Sequence, residues 1–434
     1  MQHAPQRLGS AGLALAAALA GAAAPAYAEE LQDLKAQVRT LLDRVAELEK
    51  QRALSAAPAG AVTGGTGKGS FKLPGSDTSV TLGGYVKLDA IYSDKSAGVN
   101  SSADQEYEAG AVPVGPGAGA NERGQVKLHA RQSRLFFKTS TPSSFGELGS
   151  VLEFDLFGAA GNESVSNSNG LRVRHAYATL GKLLVGQTWT TFSDPAAYPE
   201  TLDFGGPAGE IFARQAQVRW TERFRAGQWS VALESPETVV ALPDGTTFRA
   251  DDDRVPDLAA NVQVNARFGQ FSLAGLLRQV RVDSAATPAA RDQRWGGGLG
   301  VNGVVPFGTR DDARFSVYYG NALGRYTVGF FSDAVLGSDQ HLGLPDQWVA
   351  TAAYRHYWSD TVRSTLALSG LGASNPAGTA GGVNRSAQSA HLNLIWSPVP
   401  QANLGIEYLH ARRETEDGLD GRLNRLQASA QYFF

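Results

Sequence analysis

Apolar and polar residues alternate one for one along most of this chain. At its end, Leu426, Ala428, Ala430, Tyr432 and Phe434 share one parity, while Arg425, Gln427, Ser429 and Gln431 share the other. Earlier, Val80, Leu82, Val86, Leu88 and Tyr92 fall on one face, and Thr81, Tyr85, Lys87 and Asp89 on the opposite one. The same rhythm recurs over 152–156, 229–234, 258–268 and 404–408. A period of two belongs to a strand whose two faces meet different surroundings. From Thr78 onward we count about sixteen such segments, an even number, as single-chain bacterial barrels require.

A soluble sandwich would also hide one face of every strand. Connection lengths separate the two architectures. Gly181-Lys182, 268–270, 358–360 and 397–401 read as tight turns, whereas 93–124, 191–213, 236–256, 321–346 and 371–385 read as long loops. Short turns at one end and long loops at the other are the outer-membrane arrangement. Trp220, Tyr318, Tyr319, Tyr326, Trp348, Tyr354, Trp358, Trp396 and Tyr408 gather toward segment ends, where membrane interfaces would hold their rings. No later segment has about eighteen consecutive apolar residues, so no spanning helix is expected. The expected fold is an all-β transmembrane barrel of about sixteen antiparallel strands over 71–434, preceded by an α-helical coiled coil.

That coiled coil is read over 29–54. Leu31, Val38 and Val45 repeat every seven residues, as do Leu34, Leu41 and Leu48. These are the a and d positions of a left-handed coiled coil. Leu42 widens the stripe toward more than two helices, whereas Val at a with Leu at d favours two. Residues 55–70, rich in Ala, Gly, Thr and Pro, read as a flexible linker. Residues 1–28 read as a signal peptide: Arg7 supplies the charge, 8–24 the apolar run and Ala26-Tyr27-Ala28 the cleavage site. A helix placed before the first strand would enter from the short-turn side and project into the periplasm.

The chain has 434 residues, a net charge of −3 and no cysteine. That charge makes no case for nucleic acid, and the missing thiols suit an oxidising compartment. Local charge is more telling. By parity, Lys87, His129, Arg131, Arg172, Arg174, Arg219, Arg267, Arg278, Arg363 and Arg425 would face the lumen, against Asp89, Glu153, Asp155, Glu234, Asp257 and Glu407. Basic groups exceed acids there, and the remaining acids sit in loops such as Asp251-Asp252-Asp253, so a wet lumen would gather anions. Arginine grips carboxylates bidentately. The same arginines could instead pair with Glu153 or Asp155 as wall scaffolding. Arg134 has the opposite parity to Arg131, and a bulge or strand end can re-aim one of them.

The third long loop runs through Asp194, Glu200, Asp203 and Phe204-Gly205-Gly206-Pro207 to Arg214. It resembles the inward-folded constriction loop of trimeric porins. The heptads, Phe71-Lys72-Leu73-Pro74-Gly75-Ser76-Asp77-Thr78, Gly83-Gly84-Tyr85-Val86-Lys87, Arg131-Gln132-Ser133-Arg134 and Gly320-Asn321-Ala322-Leu323-Gly324-Arg325-Tyr326, in that order, resemble the DcaP-like outer-membrane porin family. The resemblance implies a homotrimer in the outer membrane that passes small anionic solutes, dicarboxylates especially. The scattered histidines show no metal-ligand spacing and the glycines no phosphate-loop pattern, so no cofactor, metal or catalysis is expected. Asp194, Glu200 and Asp203 would oppose an anion unless arginines neutralise them. Two other classes remain: a barrel lipase, and an adhesion or scaffold protein acting through its stalk. His391 and Asn393 share a face as in barrel lipases, but His391 has lumenal parity where such a site faces lipid. Exported protein should begin at Glu29. The intact mass of the mature chain tests this, and retention of the leader would convert it into an anchor.

Overall fold

The structure, a computed structural model, describes residues 32–49, 62–95, 104–116, 124–159, 164–284 and 290–434. The expected leader lies outside these residues. Two units are distinguished, Met1–Thr63 and Gly64–Phe434. In the first, residues 32–49 form a helix whose Leu34, Val38, Leu41, Leu42, Val45 and Leu48 are all exposed in the single chain.

In the second unit, sixteen strands among the described residues form one antiparallel sheet that closes on itself. They are β1 (Ser79–Ser93), β2 in two pieces (Gln125–His129 and Arg134–Ser143), β3 (Gly146–Ala159), β4 (Gly170–Leu180), β5 (Leu183–Trp189), β6 (Arg214–Phe224), β7 (Gly227–Glu234) and β8 (Asp257–Ala266). There follow β9 (Gly269–Ser284), β10 (Ala290–Phe307), β11 (Asp311–Asn321), β12 (Asp346–Tyr357), β13 (Val362–Ser374), β14 (Asn384–Val399), β15 (Ala402–Thr415) and β16 (Asp420–Phe433). Each strand pairs with its sequence neighbour, and β16 returns to β1 from Arg425↔Ser93 to Phe433↔Tyr85. Closure removes every open edge, which hydrocarbon demands because it offers backbone groups no hydrogen bond.

The faces follow the alternation. Leu82, Val86, Leu88 and Tyr92 are exposed, as are Leu404, Ile406 and Tyr408, whereas Lys87, Asp89, Glu407 and Arg425 are at most 3% exposed. This inversion excludes a sandwich, whose oily faces would be hidden. Trp220, Tyr319, Trp348, Tyr354, Trp358, Trp396 and Tyr408 do lie outward. Tyr318 and Tyr326 do not: both are buried inside, against Phe192 of the third loop.

Turns and loops alternate as expected, with two corrections. The last long loop is shorter than 371–385, because β13 continues to Ser374. The linker expected over 55–70 lies outside the described residues up to 61, and its final part is bonded: the Gly65 amide donates to Ser70 O, and Ser70–Lys72 pairs with the start of β1.

The loops after β7 and β11 join into a small second sheet from Val239–Ala241, Thr247–Arg249, Ala334–Leu336 and Leu342–Gly343. Its apolar residues pack with Val280, Val282 and Ala290 at the loop ends of β9 and β10. Arg278 ties this cap down. It is fully buried, donates to Asp333 (2.5 Å) and to the carbonyls of Ala322 and Glu237, and lies 3.4 Å from Asp257. Removing one partner of a buried ion cluster leaves uncompensated charge, a loss of about 3–5 kcal/mol. Arg278→Ala should therefore lower unfolding stability in urea by about that much. A change below about 1 kcal/mol would show that Asp257 and Asp333 are not charged partners.

Candidate functional site

The third loop, L3 (190–213), does not stay outside the barrel. It begins on Glu234, whose carboxylate accepts from Thr190 Oγ1 and the Thr191 amide. Asp194 caps the short helix Pro195–Ala197 and accepts from Ser272 Oγ on β9 at 2.6 Å. Arg314 on β11 donates to Tyr198 O. Glu200 takes both nitrogens of Arg363 on β13 at 2.8 and 2.6 Å. Glu407 on β15 accepts the amides of Leu202 and Asp203, and Arg425 on β16 donates to Asp203 Oδ2 at 2.9 Å. Lys87 on β1 reaches Leu202 O at 2.7 Å. Ser389 and Ser369 accept the amides of Ala208 and Gly209. The loop thus crosses the lumen, bonded to strands from β9 to β16 and to β1.

Polar wall residues that parity placed inside therefore divide by task. Lys87 and Arg425 are covered by L3 and serve as its anchors. His391 is also covered, with Nδ1 3.2 Å from Glu407 and its ring against Tyr107. Asp194, Glu200 and Asp203 are likewise anchors rather than free constriction acids. Burial raises the carboxyl pKa of Asp203 and of Glu200, but Arg425 for one and Arg363 for the other outweigh it and hold both below the usual range.

The first loop also folds inward, which alternation did not indicate. The Tyr107 amide donates to Asp203 Oδ1 at 2.7 Å, and a Cβ at Gly205 would collide with Tyr107 O, so only glycine lets L1 and L3 lie this close. Arg131 holds the base of L1, donating to Gln105, Leu156 O and Ala159 O, and is buried.

Both Arg131 and Arg134 leave β2 toward the interior. Asp89↔His129 and Tyr85↔Arg134 differ by one register step, because Ala130–Ser133 supply four residues opposite three of β1. That extra residue reverses the parity. A second shift, between Glu153↔His175 and Phe154↔Val173, turns Arg174 and His175 both inward.

Between L1, L3 and the wall of β2, β4 and β6 lies a cavity of about 680 Å³. Arg134, Arg172, Arg174 and Arg214 line it, with Glu106, Phe204 and Glu210 across from them. Arg172 binds Asp155 through two bonds of 2.9 and 2.8 Å, and Arg174 binds Glu153 at 2.8 Å and Asp155 at 3.1 Å. Phe204 stacks on Phe157 at 4.8 Å and lies under Arg172 and Arg174. Arg214, the first residue of β6 and not a loop residue, makes no ion pair among the described residues, and its buried Nη1 has no hydrogen-bond partner. Four arginines thus line this cavity, backed by Glu153 and Asp155 in the wall and faced by Glu106, Glu108, Glu200, Asp203 and Glu210 from the loops. Trp189 borders both this cavity and a second one of about 380 Å³ toward the turns, where Arg219 and Lys138 stand.

Two expected pore residues do not belong here. Arg267 lies in the exposed turn between β8 and β9, because its parity continues past the strand end. Arg278 has the right face but is fully buried and ion-paired with Asp333 under the loop cap.

The family model of the DcaP outer membrane protein matches residues 13–434. The chain belongs to that family. The outer membrane channel DcaP of Acinetobacter baumannii has 23% identity, covering 82% of this chain and 97% of that one, with a TM-score of 0.71. An anion-selective porin from Comamonas acidovorans (12% identity, 82% and 100% covered, TM-score 0.53) and a trimer form of OmpT from Vibrio cholerae (11%, 82% and 99%, 0.52) share the barrel fold. A search of curated sequences returned no significant match. The DcaP-family chain is therefore an outer-membrane protein with a porin-like barrel fold, not a soluble sandwich.

Sequence reading missed Glu106 and Glu210, since each is defined by how its loop folds back. Burial raises both carboxyl pKa values to about 8, against the opposing pull of Arg172 on Glu106. Below that pH they hold their protons; above it they add negative charge opposite the arginines. The reversal potential in a salt gradient should therefore move toward cation passage as pH rises through about 8. Glu106→Gln with Glu210→Gln should flatten the response, and an unaltered response in that variant would assign the titration elsewhere.

Proposed function

We propose that this channel passes small anionic solutes passively, carboxylates and dicarboxylates foremost. The observation that carries the reading is the cluster of four arginines on the wall side of the cavity bounded by L1 and L3, where Arg214 makes no ion pair among the described residues while Glu200 and Asp203 are neutralised by Arg363 and Arg425. A field of that sign raises local anion concentration without binding any one solute tightly. A dicarboxylate spans two such groups: Arg214 can take one end, and the exposed edge of Arg172, whose side chain is 29% accessible, the other. Phe204 and Trp189 limit the width beside them. No bond is made or broken, and passage follows the gradient.

The assembly we propose is a homotrimer whose helices over 32–49 associate in the periplasm through the stripe of Leu34, Val38, Leu41, Val45 and Leu48. The exposure of that stripe in the single chain supports a partner of the same kind. Three heptads are marginal alone, so the barrel walls would supply most of the contact.

Planar-bilayer recording tests the charge argument directly. A unit charge acting at about 4 Å through water-like dielectric is worth about 1 kcal/mol. Arg214→Gln should thus lower the anion-to-cation permeability ratio by roughly fivefold while leaving the barrel folded. Arg172→Ala with Arg174→Ala should lower it further. A wild-type reversal potential on the cation side would defeat the proposal, and unchanged selectivity in the double variant would make those two arginines scaffold only.

A further inference from the structure

The outer wall carries a second, unrelated charge pattern. On β15 and β16, Arg412 and Arg422 stand directly opposite one another, and both have the outward parity of Tyr408 and Leu426. Like charges facing each other across an antiparallel pair repel. Arg412 is partly relieved by Asp420 at 3.3 Å and Glu414 at 3.8 Å, whereas Arg422 makes no ion pair among the described residues. An anion between the two guanidiniums would resolve the repulsion.

The row that contains them continues around the wall. Register links Arg422, Arg412, Gln388, Gly370, Ala350 and Val317 on six consecutive strands. Small residues at Ala350, Gly370 and neighbouring Ala390 leave a trough, with Trp348, Leu368 and Phe315 along its sides; its volume is about 650 Å³. The Trp348 ring lies over Gly370 and Gly372, where a Cβ would press on it. The row is also inclined. Val317 stands six residues past Asp311 at the turn end of β11, but Arg412 stands ten past Ala402 at the turn end of β15. Its basic end is therefore toward the loops, and its apolar end sinks toward mid-membrane.

We propose that this trough is a binding site for a phosphorylated, multiply acylated lipid of the outer leaflet. The phosphate sits between Arg412 and Arg422, Gln388 and His410 bound the headgroup, and one acyl chain lies along Gly370, Ala390 and Ala350. A basic pair at interface height above an apolar furrow matches a lipid's own order of charge and chain. A second protein copy would have to bring its own anion to the same level. The inference rests on the barrel's place in a membrane and is independent of which solutes pass through it.

Native mass spectrometry of the full-length protein, released from detergent after exposure to bisphosphorylated lipid A, monophosphorylated lipid A or phosphatidylethanolamine, tests it. The bisphosphorylated glycolipid should be retained best and the zwitterionic lipid least. Arg412→Gln with Arg422→Gln should reduce its retention roughly tenfold, the loss expected for one charge-assisted contact. Ala390→Phe, which fills the trough from the lipid side, should reduce retention with both arginines intact. Heat-modifiable gel mobility and unchanged bilayer conductance confirm that each variant is a folded barrel. Equal retention of all three lipids by the native protein, or wild-type retention by the arginine variant, would overturn the proposal. So would a loss of oligomer in that variant without loss of lipid, which would make this face a subunit contact.

Discussion

Everything in this molecule depends on an unbroken circuit of backbone hydrogen bonds. Hydrocarbon cannot solvate an amide or a carbonyl, and each orphan inside it costs several kcal/mol. The pairing of β16 with β1 completes the ring, so the strands can carry leucine, valine and tryptophan outward without exposing main chain to lipid. Once the ring is closed, the inner face is free to be polar, and chemistry becomes possible there.

That inner face is not simply a charged pipe. Most of its ions are bonded to one another or to L3, and their desolvation is offset by bidentate and backbone contacts, as with Glu200 on Arg363 and Glu407 under Leu202. These pairs position the loop. On the function proposed above, the groups that act on a solute are those that positioning leaves without a close partner, chiefly Arg214 and the accessible edge of Arg172. On that reading, selectivity is a remainder after structure has used most of the charge.

Alternation made the wall legible in the sequence because two solvents of opposite character impose it residue by residue. It failed wherever that local rule is interrupted. One extra residue before Arg134 and another at Arg174 reverse the parity, and neither Ser133 nor His175 announces the bulge. Arg267 keeps the right parity but lies beyond its strand. Arg278 and Tyr318 do face inward, yet loops from distant parts of the chain descend on them. The inward fold of L3 was legible through its Phe204-Gly205-Gly206-Pro207 string, whereas that of L1 was not. Its Tyr107 finds Gly205 only in three dimensions, so Glu106 left no mark in the pattern.

The gripping of L3 by Lys87 at one end of the chain and by Arg425 and Gln427 at the other has a consequence for assembly. A segment from the middle of the polypeptide sits behind the seam that joins first strand to last, and its remaining anchors arrive only with the second half of the chain. An insertion intermediate with a parted seam would therefore hold its diaphragm without the grip of Lys87 and Gln427 on Leu202 across the joint. Zipping shut the cylinder thereby completes the setting of its aperture.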